Sequence, residues 1–216
     1  MNREIDWGRF ILAFLIACFL FSFGLFIGYL TKGVVESTTI DIIASTRNEL
    51  TNLETLTVLE KDYPCNSFVL DETSDKLNYL GELITTLEVK KGKNNNEVLE
   101  LKKMYTLLEA RHMILIKQKN TQCNQNYSTF LFFYSNEKEC QTKEGDISFI
   151  LSYLRKKYDF VRVYSFDVNL DSEIIKFLKD AYKIEGCESV VLNDKKIEGK
   201  IENSDDFEVL LNKNTG

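Results

Sequence analysis

One segment constrains this chain more than any other. Phe10 to Leu30 reads FILAFLIACFLFSFGLFIGYL and contains no charged residue. A helix of that length rises about 30 Å, the thickness of a bilayer's hydrocarbon core. Trp7 and Tyr29 lie near its two ends, where amphipathic rings favour the membrane interface. The run is apolar on all sides, unlike a helix with one buried face. A cleaved signal peptide has a shorter apolar region ending in a small-x-small site, and Gly28-Tyr29-Leu30 is a poor one. The expectation is an uncleaved single-pass signal anchor over 10–31, preceded by a short cytoplasmic N-terminus over 1–9.

Arg3 and Arg9 precede the span, and Lys32 is the only nearby base after it. By the positive-inside bias the C-terminal part is expected to be extracytoplasmic. Cysteine usage agrees. Cys18 lies in the span as a small apolar residue, and Cys65, Cys123, Cys140 and Cys187 make the even set that two disulfides require. Asn126-Tyr127-Ser128 is a glycosylation sequon. A net charge of −6, with no Lys/Arg stripe, argues against nucleic acid as the partner.

The stretch 35–122 has helical period throughout. A first run carries Ile43, Leu50, Leu53 and Leu56 and is broken at Tyr63-Pro64-Cys65-Asn66. Leu77, Leu80, Ile84 and Leu87 mark a second run; Val98, Leu101, Tyr105, Leu108, His112 and Leu115 mark a third. Lys90 to Asn96 separates these two, its Gly and Asn residues suited to ending a helix and Asn95 or Asn96 able to cap the next one. They predict an antiparallel hairpin whose stripes form a local helical core. A coiled-coil face for homo-oligomer formation is the sharper alternative. Cys65 and Cys123 bracket the hairpin at one end, so a bond between them is expected. In the loop-entropy model it contributes about 3–4 kcal/mol. His112 is the only histidine and has no companion at metal-ligand spacing, so neither a metal nor a cofactor is expected.

From Asn126 the pattern changes. Ser128–Tyr134 and Phe160–Phe166 read as strands, separated by a helix carrying Ile147, Ile150, Leu151 and Leu154. A helix capped by Asp171 or Ser172 follows, with Ile174, Ile175, Leu178 and Tyr182. Then come a strand Ser189–Leu192, a turn Asn193-Asp194-Lys195, a fourth strand Lys196–Ile201, and a last helix from Ser204 or Asp205 to about Leu211. The order β-α-β-α-β-β-α over 127–212, before a tail at 213–216, is an α/β pattern with a parallel start and an antiparallel hairpin. The acids read as solvated faces, with Asp167 and Asp171 serving a turn and a helix cap.

This order resembles the thioredoxin fold. Phe132-Phe-Tyr-Ser-Asn-Glu-Lys-Glu-Cys140 is similar to that family's apolar strand leading to a cysteine at a helix start. Tyr182-Lys-Ile-Glu-Gly-Cys-Glu-Ser189 is similar to its Tyr-x-Ile-x-Gly-Ile-Pro-Thr stretch. The departures bear on chemistry. Cys140-Gln-Thr-Lys143 stands where the family has Cys-x-x-Cys: if Cys140 aligns with the nucleophilic cysteine, Lys143 replaces the resolving one, and if it aligns with the second, the nucleophile is missing. Glu188 falls on the cis-proline position, and apolar Phe132 lies near the place of the family's buried acid. The resemblance places Cys187 against Cys140 and leaves three readings open. The two form a structural staple, or an atypical redox pair, or they stay apart with Cys140 a lone thiol. A helix N-terminus and Lys143 would lower the Cys140 thiol pKa, and Glu137, Glu139, Glu144 and Asp146 would oppose that.

The functional expectation is a single-pass extracytoplasmic thioredoxin-like protein with two openings. It handles disulfides through Cys140 and Cys187, or it has lost that chemistry and binds a protein partner. The rival is a membrane-tethered assembly protein acting through the helical middle. No nucleophile elbow, Walker loop or His/Cys signature points to other chemistry.

Overall fold

The computed structural model describes residues 7–137, 140–186, 188–197 and 204–214; of these, the side chains of 29–40, 141–146, 204–205 and 212–214 are not described. The chain divides into a unit ending at Thr46 and a second unit beginning at Arg47. In the first, helix α1 (Trp7–Leu59) contains the one described helix long and apolar enough to cross a membrane, over Trp7–Gly28 with mean hydropathy 2.8. Phe10, Leu15, Phe19, Phe21 and Leu25 are all exposed along it.

In the second unit, the last part of α1 is tied to two helices, α2 (Phe68–Lys91) and α3 (Asn96–Gln122). Arg111 donates to the Leu50 carbonyl (2.8 Å) and pairs with Glu54, and Lys76 pairs with Glu49. A short 3-10 turn, Glu60–Asp62, precedes the break at Pro64. The α2–α3 hairpin has local causes. Gly92 ends α2 at φ 91, a backbone that costs a residue with Cβ, and its N–H donates to Glu88. Asn95 caps α3 by accepting from the Glu97 N–H at 2.9 Å. Cys65 and Cys123 are disulfide-bonded at the other end, with Cα atoms 5.4 Å apart.

The remaining elements are β1 (Ser128–Tyr134), α4 (Gln141–Lys157), β2 (Val161–Asp167), α5 (Glu173–Ala181), β3 (Ser189–Leu192), β4 (Lys195–Lys196) and α6 (Ser204–Asn214). They build a mixed four-stranded sheet in the order β2-β1-β3-β4, with β1 and β2 parallel and the other pairings antiparallel. β1 is buried along almost its whole length because both faces are covered. Its side chains alternate. Leu131 and Phe133 join Tyr164, Phe166 and Val191 beneath Met113 of α3 and Ile175 and Leu178 of α5. Phe130 and Phe132 join Val190 and Leu192 beneath Leu151 and Leu154 of α4 and Phe207 and Leu211 of α6. Each such side chain contributes about 1.5–3 kcal/mol by leaving water, and truncating fully buried Phe130 to alanine would cost about 3–5 kcal/mol.

Two expectations need correction. The β3–β4 turn is two residues, Asn193 (φ 46) and Asp194 (φ 66), so Lys195 belongs to β4. Consecutive left-handed residues make the tight turn whose twist suits a hairpin; the expected strand residues 198–201 lie outside the described ones. The acids are not all solvated. Glu60, Glu109 and Asp167 are buried, because the hairpin packs over positions that sequence leaves facing water.

Candidate functional site

The residues singled out for thiol chemistry lie at the start of α4. Cys140 occupies the N-cap position, is 7% exposed and is disulfide-bonded. Lys143 falls in the first turn of α4, where side chains are not described. Cys187 lies outside the described residues. The other four-residue relation of a dithiol motif is absent from the sequence itself, since Gln141, Thr142 and Lys143 follow Cys140.

Glu60 lies beside the Cys65–Cys123 bond region as part of a locked cluster. The Lys119 ammonium pairs with Glu60 and donates to the carbonyls of Pro64 (2.6 Å) and Asn66. It thereby fixes the segment that carries Cys65.

A second concentration of polar groups lies between the hairpin and the sheet. β2 is an edge strand, so alternate backbone groups along it point away from β1. A cleft of about 930 Å³ lies there, lined among others by Leu77, Gly81, Lys102, Tyr105, Tyr134 and Arg155. A cavity of about 220 Å³ shares Leu77, Asn78, Tyr105 and Arg155 with it, and reaches Glu109, His112 and Arg162. At one wall Lys102 is held between Glu88 (2.7 Å) and Asp167 (3.2 Å). Asp167 also accepts from Asn136 (2.6 Å) and from the Asn169 N–H (3.1 Å), so its carboxylate is occupied.

His112 is fully committed. The Ser74 hydroxyl spends its proton on the Leu70 carbonyl at 2.8 Å. It must therefore accept from His112 Nε2 (2.8 Å), which leaves Nδ1 to accept from the Tyr164 hydroxyl (2.7 Å). Burial, helped by the charge of Arg162, pushes the imidazole pKa down to about 4. A neutral ring with both nitrogens occupied is a structural joint. Among the described residues no group of His, Cys, Asp and Glu is placed to hold a metal ion.

Glu109 is different. Its Oε1 accepts from the Ser165 N–H at 2.8 Å, an outward-pointing donor of the sheet edge. Its Oε2 has no hydrogen-bond partner, although the residue is 1% exposed. Burial raises the carboxyl pKa well above the ordinary range, against the opposing pull of the Ser165 N–H. The carboxyl therefore keeps its proton to a higher pH than a free acid does. Burial also raises the hydroxyl pKa values of Tyr105 and Tyr134, so both are donors. Sequence reading missed this group. The available signal was spacing: Glu109 falls four residues after Tyr105 and three before His112, on the same apolar face of α3.

The chain matches no family model, and no curated protein or solved structure is significantly similar to it.

Proposed function

We propose that this is a single-pass membrane-anchored protein carrying an extracytoplasmic thioredoxin-like domain used for binding, not for thiol exchange. The exposed apolar stretch Trp7–Gly28 supports the anchor. Arg3 and Arg9 ahead of it support the orientation, and so does the Cys65–Cys123 bond, which suits an oxidising compartment. The sheet supports the fold reading: a parallel pair joined through α4, a central β1, and a closing antiparallel β3–β4 hairpin.

One observation carries the choice of binding over exchange. Cys140 is buried and oxidised, and no second cysteine follows it within the helix turn. A catalytic pair needs an accessible nucleophile that cycles between states. In this reading Cys140 is bonded to Cys187 as a staple between the start of α4 and the loop before β3. The rival assembly reading has less support, because Val98, Leu101, Leu108, Leu115 and Ile116 of α3 are already buried within the chain.

Thiol counting on the native full-length protein in detergent, with insulin reduction run alongside, tests this. Alkylation without reduction should label only Cys18, and neither the native protein nor single cysteine variants should turn over insulin. Turnover that disappears in C140S would replace binding with an atypical oxidoreductase.

A further inference from the structure

The cleft beside β2 holds more hydrogen-bonding capacity than the protein uses. Three groups in its lining are donors or cations: the Tyr105 and Tyr134 hydroxyls and the Arg155 guanidinium; the Glu109 carboxyl lines the smaller cavity alongside. Among the described residues, the two hydroxyls and the guanidinium make no hydrogen bond or ion pair with the protein, and Glu109 Oε2 is buried without a partner. The neighbouring acids do not cancel this excess of donors. Glu88 and Asp167 are engaged with Lys102, and Glu82 is exposed at the rim. The volume, about 930 Å³ with a further cavity of about 220 Å³ alongside, falls in the range of small-molecule sites.

We propose that this cleft binds a small molecule through an oxyanion, seated against Arg155 and the hydroxyls of Tyr105 and Tyr134. The chemistry required is that of an acceptor-rich group carrying negative charge, a carboxylate or a phosphate. Arg155 supplies the charge and forked geometry suited to either. The two tyrosine hydroxyls supply donors with no repulsion. The proposal deepens the binding reading above by naming what is bound.

Calorimetric titration of the full-length protein in detergent with succinate, inorganic phosphate and glucose tests it. Succinate binding alone identifies a carboxylate site, and phosphate binding alone identifies a phosphate site; either supports the proposal. R155Q should weaken the bound anion at least tenfold, whereas K156Q, an exposed neighbour that does not line the cleft, should leave it unchanged. Y134F should weaken it severalfold. Far-ultraviolet circular dichroism verifies that each variant is folded, and Arg155 is exposed enough to be replaced without disturbing the core. The proposal is overturned if neither anion binds, if glucose binds as well as they do, or if K156Q loses as much as R155Q. Insulin turnover would sink the binding reading without touching these titrations, so the two failures are distinguishable.

Discussion

Glu60 and Glu109 are both buried carboxyl groups reached by α3, and they are handled in opposite ways. Glu60 Oε1 meets the ammonium of Lys119, which also draws two backbone carbonyls onto itself. Glu109 meets a single backbone N–H and no cation, its second oxygen is buried without a partner, and the residue lines a cavity. Glu60 also leaves Oε2 without a hydrogen bond, yet it does not line either cavity described beside β2. The contrast separates a carboxyl buried against a cation, which fixes a chain segment, from one buried with no cation beside it. Only the second has capacity left for something outside the chain.

The first way to break the comparison is to remove the cation. Replacing Lys119 with methionine leaves Glu60 buried without its partner, and a loss of about 3–5 kcal/mol is expected in denaturant unfolding. A loss below about 1 kcal/mol would mean that the Lys119–Glu60 pair does not fix this segment. Next in size is the neighbouring bond. Replacing both Cys65 and Cys123 with alanine frees a loop spanning 58 residues and should cost about 3–4 kcal/mol.

The cleft is sharpened by pH. The His112 pKa falls from 6.5 unfolded to about 4 folded, so the unfolded chain binds the extra proton. Its contribution is present above pH 6.5 and is lost as pH falls toward 4, a change of about 3 kcal/mol at most. Glu109 has the reverse sign. Its folded pKa is raised, so the folded state holds the proton longer, and its contribution is lost as pH rises above 4.5. E109Q should therefore remove an alkaline decline in stability, read as unfolding midpoint against pH, and H112Q should remove an acid one. The smallest expected effect is that of R155Q, which should change stability by no more than about 0.5 kcal/mol while changing the cleft's affinity.

Much of the scaffold was readable in the sequence, because local signals set it. Gly92 and Asn95 mark the hairpin, the apolar alternation marks β1, and Asn193-Asp194 marks a turn, although its length was overestimated by one residue. The two elements that depend on long-range packing were not readable. Lys102 meets Asp167 across 65 positions, and Glu109 reaches Ser165 across 56. Neither partner's local pattern distinguishes it from a solvated charge. Only the way α3 crosses the sheet toward the β2 edge turns these residues into a cleft lining, and no periodicity encodes that crossing.

The bond from Glu109 to the Ser165 N–H has a consequence for life in a crowd. A bare outer strand invites a neighbour's strand to zip alongside it, and repeated zipping grows into fibrils. By occupying one rung of that ladder, Glu109 of α3 leaves copies of the chain less of it on which to begin.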